Sequence, residues 1–180
     1  MATTKHTLVA IVQDKPGVLN RMVSLFRRRG FNIDSIAVGH SEVAHLSRVT
    51  IVVNGTTATV EQVRKQLDKL IDVAKVFDIT GEKLIGRELA LVKVKAGSAT
   101  RSEIIEIADI FRANIVDVAS DSLTIEITGD EDKIESMLKL LNGFGVKEIA
   151  RTGRIAMVRG NIGAMPDEKP AKSRAKKPAA

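Results

Sequence analysis

The feature that most constrains the fold is an order of apolar segments that occurs twice along the 180 residues. In each half, short apolar or alternating runs flank longer segments whose apolar residues recur every three or four positions, the spacing of an amphipathic helix. Both halves follow the order strand, helix, strand, strand, helix, strand. The predicted strands are 6–12, 32–38, 46–53 and 73–79, then 88–95, 115–119, 123–128 and 146–150. The predicted helices are 16–29, 59–71, 101–112 and 130–141, and a further strand is left open at 155–158.

This order predicts an α+β protein made of two tandem ferredoxin-like units, each an antiparallel four-stranded sheet with two helices on one face. We place the first domain at 1–80, a linker at 81–87, the second domain at 88–160 and a disordered basic tail at 161–180. Two helices cover only one face of each sheet, so the other face and the edge strands need a partner. A homodimer supplies such a partner.

The composition limits the chemistry of the chain. It has no Cys, Trp or Tyr, which excludes disulfides, thiolate chemistry and cysteine zinc sites and removes the usual stacking platforms for nucleic-acid bases. Half of the net charge of +6 lies in 161–180, a segment rich in Pro, Ala and Lys whose apolar content is too low for folding. For this tail we favour a solubilising role over electrostatic contact with nucleic acid.

The chain contains neither an apolar run of about 18 residues nor a signal-type segment at its start. We therefore expect no membrane span and a location in the cytoplasm.

The three histidines, His6, His40 and His45, lack the spacing of a metal site, and we interpret the last two as exposed loop residues. No metal site and no catalytic residues are predicted.

The loop between the first strand and the first helix, Asp14-Lys15-Pro16-Gly17-Val18, is the best candidate for a binding site. A helix start presents backbone N–H groups without internal partners and carries partial positive charge, so it attracts a carboxylate. Gly17 has no side chain to block the approach of a ligand. Asp14 has two interpretations that overlap: a helix cap that accepts the N–H of Gly17, or an acceptor for a ligand's ammonium group.

Asn32 and Ile33 begin the second strand, which is an edge strand in the predicted fold. If two copies pair along this strand, the 14–18 loop of one chain faces Asn32 and Ile33 of the other. Such a shared pocket suits a small amino acid with an aliphatic side chain. The simpler interpretation of Asn32 is a loop hydrogen-bonding residue. We interpret 27–29, three arginines in a row, as an exposed helix end whose cations complement the helix dipole.

Several segments, in order, resemble the regulatory (small) subunit family of acetolactate synthase, also called acetohydroxyacid synthase, whose N-terminal domain is an ACT domain. The matching segments cover roughly residues 5–160 and are 8–19 (LVAIVQDKPGVL), 28–36 (RRGFNIDSI), 46–51 (LSRVTI), 69–73 (KLIDV), 87–94 (RELALVKV), 110–118 (IFRANIVDV) and 148–153 (EIARTG). Several motifs in register over two domains make the resemblance specific.

The resemblance implies a protein without catalytic residues that binds and activates a separate catalytic subunit. It also implies feedback inhibition of branched-chain amino-acid biosynthesis by valine, held between the ACT domains of a homodimer. Carried over residue by residue, the effector site consists of Asp14, Gly17 and Val18 of one chain and Asn32 and Ile33 of the other. Many bacterial members have Asn in place of Asp14, and Asp strengthens the attraction for an ammonium group while repelling a misplaced carboxylate.

The thiamine diphosphate, FAD and magnesium ion of the complex belong to the catalytic subunit in this family, so no cofactor is expected on this chain. The alternative function is an ACT-type amino-acid sensor that regulates a different enzyme or transcription.

Overall fold

The computed structural model describes residues 4–160 and contains the predicted elements in the predicted order. The strands are β1 (Thr4–Gln13), β2 (Ile33–His40), β3 (Leu46–Gly55), β4 (Val73–Asp78), β5 (Leu84–Lys95), β6 (Asn114–Val118), β7 (Ser122–Gly129), β8 (Val146–Arg151) and β9 (Ile155–Val158). The helices are α1 (Val18–Arg29), α2 (Thr57–Leu67), α3 (Arg101–Ile110) and α4 (Glu131–Leu141), and a 3₁₀ turn (Asn142–Phe144) follows α4.

The strands form two antiparallel sheets, with the order β2-β3-β1-β4 in the first and β6-β7-β5-β8 in the second, where β9 also pairs with β5. The α+β class and the two tandem ferredoxin-like units are confirmed. The predicted position of β2 at the edge of the first sheet and of β1 inside it is also confirmed. The tail predicted at 161–180 lies outside the described residues.

The core of the first unit lies between its sheet and its two helices. β1 and β3 place Leu8 opposite Ile51 and Ala10 opposite Val49, and all four side chains are fully buried. Met22 of α1 packs into the same cluster. Helix α1 ends at Gly30, whose φ of +68° is easily adopted by glycine, and the three arginines of its last turn are exposed as predicted.

The opposite face of the first sheet is covered by the same chain, and this corrects the expectation that the face needs a second copy. Val9 and Ile11 of β1 form a second buried cluster with Ala156 of β9. The antiparallel pairing of β5 with β9 places Leu84 opposite Val158, and both pack against this cluster. β1 therefore has both faces buried, which explains why Leu8 to Val12 is a continuous apolar run.

The pairing of β5 with β9 also changes the segment between the two units. β5 begins at Leu84, inside the 81–87 segment predicted as a linker, because 84–87 pairs with β9. The division of the chain into domains stays a prediction.

Some helix ends differ from the prediction by a few residues. α1 begins at Val18 instead of 16, and α2 ends at Leu67 because 68–72 turns back towards β4. The predicted cap of the last helix is confirmed, since Asp130 Oδ1 accepts the N–H of Lys133 at 2.9 Å. Across residues 4–160, every helix is too short or too polar to cross a membrane.

Candidate functional site

The loop between β1 and α1 holds Asp14 at the surface. The Asp14 N–H donates to the carbonyl oxygen of His45 at 2.9 Å, and Asp14 Oδ2 lies 3.4 Å from Nδ1 of His40. The Asp14 side chain is about half exposed, at 49%. The interpretation of Asp14 as a helix cap is wrong, because within residues 4–160 no side chain caps α1 and the N-cap position is Gly17. Asp14 lies three residues before the N-cap Gly17, so its carboxylate does not cap the helix.

Gly17 and Val18 leave the start of α1 accessible. Gly17 has a φ of +87°, a conformation that suits glycine and strains other residues. In the described part of the chain no atom lies within 4 Å of where a Cβ on Gly17 would be. The Val18 side chain is only 4% exposed, so this residue offers its backbone to a ligand and its side chain to the core. The uncapped first turn retains N–H groups that suit a carboxylate.

Asn32 and Ile33 lie at the other end of β2. Ile33 pairs with Val53 and packs against the core, whereas Asn32 just before it is exposed. His40, which contacts Asp14, pairs with Ser47 at the opposite end of the strand. Seven residues of extended strand separate the two ends by roughly 23 Å, at about 3.3 Å per residue. One chain alone therefore does not bring Asp14 and Asn32 together.

The sequence interpretation missed the role of His40. It is the last residue of β2 and not part of the following loop, and its side chain is 86% exposed beside Asp14. His45 does lie in the loop, with a φ of +65°. Burial alternates along β2 as far as Val38, but the sequence of the strand, IDSIAVGH, does not alternate and gave no signal that the strand reaches His40. Residues 4–160 contain no group of three His, Asp or Glu side chains placed to hold a metal ion.

A cavity of about 570 Å³ lies between the first sheet and the second unit. One wall is 32–36, which includes two predicted site residues, and the facing wall is 151–154. The remaining lining residues are Lys5, Val52, Glu88 and Glu131. No sequence pattern indicates this cavity, because it depends on how the two units pack.

The charged side chains of this cavity are paired with one another. Arg154 lies 3.4 Å from Glu88 and 2.5 Å from Glu131, and Arg151 lies 2.8 Å from Glu88. Lys5, on the first strand of the chain, also pairs with Glu131. The hydrogen bond from Lys5, helped by the charge of Arg154, lowers the pKa of Glu131. The cavity is therefore lined by paired charges, and the Lys5–Glu131 pair joins the two units.

Two family models match the chain. Residues 8–75 match the ACT domain of acetohydroxyacid synthase (AHAS) small subunits, and residues 87–160 match the small subunit of acetolactate synthase. A probable acetolactate synthase small subunit of Archaeoglobus fulgidus is 56% identical over 157 residues, which is 87% of this chain and 98% of that protein. The acetolactate synthase small subunit of Mycobacterium bovis is 48% identical over 91% of this chain and 97% of its own length.

A solved structure agrees with these relatives. The crystal structure of the acetolactate synthase small subunit from Thermotoga maritima has a TM-score of 0.81 at 44% sequence identity, covering 88% of this chain and 99% of that one. Both units, in the same order, are matched along nearly the whole length of these proteins. The chain belongs to the acetolactate synthase small subunit family.

Proposed function

We propose that this chain binds and activates a catalytic subunit of acetolactate synthase and makes it sensitive to feedback inhibition by valine. The family supports the regulatory role. The observation that carries the effector part is the pair of half-sites at opposite ends of β2, an uncapped helix start beside Asp14 at one end and Asn32 with Ile33 at the other.

A homodimer that pairs along β2 unites these half-sites. The outer edge of β2 has no strand partner within residues 4–160. If a second copy adds its β2 antiparallel about a two-fold axis near the middle of the strand, Ile33 of one chain lies opposite His40 of the other. Because His40 contacts Asp14, the Asp14 loop of one chain then faces Asn32 of the second copy. Two equivalent sites result.

Each site matches the chemistry of an aliphatic amino acid. The first-turn N–H groups of α1 and its dipole favour the α-carboxylate. The Asp14 carboxylate and the Asn32 side-chain carbonyl accept hydrogen bonds from the ammonium group. The half-buried Ile33 offers an apolar surface to a branched side chain. Valine is the effector that we propose to test first.

The regulatory effect follows from linkage between the two sites. The effector shifts the chain towards an arrangement of the ACT domains that supports less activity in the partner. A useful response needs a coupling free energy of about 1–3 kcal/mol between effector and catalytic subunit. We place the thiamine diphosphate, FAD and magnesium ion on the catalytic subunit. The location in the cytoplasm stays a prediction.

Reconstitution tests this function. The purified chain is mixed with the acetolactate synthase catalytic subunit, and acetolactate formation is measured with and without valine. We expect a faster rate with the chain present and a loss of that increase when valine is added. If the chain neither raises the rate nor confers a response to valine, the proposed function is wrong.

A further inference from the structure

The connection between β8 and β9, residues 152–154, lies directly against β2. The Arg154 N–H donates to Ser35 Oγ at 2.8 Å. A Cβ added to Gly153 would lie 2.5 Å from the Ile36 carbonyl oxygen, 2.8 Å from its carbonyl carbon and 2.9 Å from Ser35 Oγ. Real Cβ contacts are not that short, and two of the three atoms are backbone. Only glycine at 153 permits this approach between the two units.

The contact leaves the edge of β2 free for a second copy. A Cβ on Gly153 would be almost as close to the carbonyl carbon of Ile36 as to its oxygen, so Gly153 lies beside the C=O bond and not at its end. Ser35 pairs with Val52, whose side chain faces away from the helices, so this contact is on the covered face of the first sheet. Both the 152–154 connection and a second β2 therefore have room.

Further contacts hold the 152–154 connection in place. Arg154 reaches Glu88 and Glu131 in the second unit, and Glu131 in turn pairs with Lys5 in the first. On the other side of the connection, Arg48 Nη2 of β3 donates to the carbonyl oxygen of Ala156 at 2.8 Å. Burial lowers the pKa of Arg48, opposed by the charge of Glu42. The connection thus contacts the first sheet directly at Ser35 and Ile36. Two bonds to residues beside it, Lys5 to Glu131 and Arg48 to Ala156, support this contact.

These contacts touch the segment that carries half of the effector site. β2 has a register shift between Ile33 and Ser35, so one residue there is not held by regular pairing with β3. At such a bulge the extra residue is unpaired and the ladder is locally disrupted, so contacts from outside the sheet contribute more to holding the strand. The contact at Ser35 lies two residues from Ile33 and three from Asn32, on the covered face. The second unit therefore supports the first unit where regular sheet pairing is weakest.

We infer that Gly153 and Arg154 of the second unit are positioning residues for the effector site, because they fix the β2 segment that presents Asn32 and Ile33. This inference rests on the proposed function. The effector site then depends on both units of one chain and on the second copy. Through β2, a movement of the second unit changes the position of the residues that bind the effector.

The steric variant Gly153→Ala tests the inference. Its methyl group pushes the 152–154 connection away from Ile36, and we expect the valine dissociation constant of the isolated chain, measured by calorimetry, to rise at least about fivefold. Gly81→Ala is the matched control, since in the described chain nothing lies within 4 Å of a Cβ there and its φ is ordinary. The control retains wild-type affinity. Equal affinities of both variants and the wild type overturn the inference.

A second variant and a measurement on the wild type test the inference independently if Gly153→Ala does not fold. Ser35→Ala removes only the Oγ acceptor, and we expect about a twofold to fivefold loss of valine affinity in a chain that still unfolds cooperatively. In wild-type chain, valine should slow amide hydrogen exchange of the 152–154 connection, a response that a purely structural contact would not give. Unchanged exchange there, together with protection of 32–36, contradicts the inference. A wild-type chain that binds no valine contradicts the proposed function instead.

Discussion

The two units share a topology but differ at the corner where the first strand of each meets its first helix. The Asp14 N–H donates to His45 O at 2.9 Å in the first unit, and the Ala96 N–H donates to Asp121 O at 2.9 Å in the second. Asp14 and Ala96 therefore occupy equivalent positions. A half-exposed carboxylate in one unit corresponds to a fully buried methyl group in the other.

In the second unit, the guanidinium group of Arg101 lies at this corner. Nη2 of Arg101, in the first turn of α3, lies 2.6, 3.0 and 3.2 Å from the carbonyl oxygens of Ala119, Ser120 and Ala96. Within the described residues the first unit has no arginine placed in this way at its corner, and the N-cap of α1 is Gly17, with open space where a Cβ would lie. Across residues 4–160, both helix starts lack a side-chain cap. The same fold thus carries a half-exposed carboxylate beside a glycine N-cap in one unit, and a buried alanine with an arginine bonded to three carbonyl oxygens in the other.

Of the variants that test this difference between the two units, Arg101→Ala should show the largest change in free energy. The change leaves three carbonyl oxygens without their shared donor, and hydrogen bonds from a charged group are worth about 1.5–3 kcal/mol. We expect the free energy of unfolding, measured with urea, to fall by about 2 kcal/mol. Valine affinity should not change, because within residues 4–160 Arg101 contacts neither the 152–154 connection nor the proposed effector site. A lower valine affinity in a chain that is still folded would show that the two corners are not independent.

Next in size is Gly17→Ala. A non-glycine residue in the left-handed region costs roughly 1–2 kcal/mol, and the added methyl group stands where the carboxylate of the effector approaches. We expect at least about a tenfold rise in the valine dissociation constant by calorimetry, equal to about 1.4 kcal/mol. Gly97→Ala is the matched control in the second unit, with open space and no positive φ. If Gly17→Ala binds valine with wild-type affinity, the start of α1 is not part of the effector site.

A smaller change makes the first corner resemble the second. Asp14→Ala introduces the residue found at the equivalent Ala96 and removes the acceptor for the ammonium group. We expect valine affinity to fall about fivefold to tenfold, near the low end for a charge-assisted hydrogen bond because the site is half exposed. Asp14→Asn keeps an oxygen acceptor and should lose less. If Asn loses more affinity than Ala, the ammonium group is not bound at this position.

The smallest effect concerns the contact between the two units and depends on pH. The pKa of Glu131 is lowered from its ordinary 4.5 by Lys5 and then Arg154. The stability that this ionised carboxylate contributes is therefore present above pH 4.5 and lost as the pH falls through the lowered folded-state value. Lys5→Ala should flatten the decrease in thermal midpoint between about pH 5 and pH 3. Identical pH profiles for the variant and the wild type would show that the pair does not contribute.

Local patterns in the sequence were enough to predict most of the elements. Apolar spacing located the four α-helices of residues 4–160, and Asp130 after Gly129 correctly marked the start of α4. The continuous apolar run of β1 contrasts with β5, where buried Val92 is followed by the half-exposed Lys93. That contrast reflects one strand covered on both faces and one covered on a single face.

The sequence did not predict the features that depend on how the two units pack. The cover that β9 and 84–87 give to Val9 and Ile11 has no local signature. Gly153 resembles any loop glycine in the sequence, although its close approach to Ile36 makes it specific. The spacing of Asp14 to the helix fits a capping role, yet the positive φ of Gly17 starts the helix later. The sequence thus suggested the residues of the proposed site, but not their geometry.

Mixing two deficient variants tests the central claim most directly. If one site takes Asp14 from one chain and Asn32 from the other, Asp14→Ala and Asn32→Ala homodimers are each impaired in valine binding at both sites. After unfolding and refolding together, each mixed dimer contains one intact site and one doubly altered site. Random pairing of equal amounts should then restore wild-type affinity at about one quarter of the sites, measured by calorimetry. If mixing restores no tight valine binding, the effector site is not shared across a β2 edge, and the account is wrong.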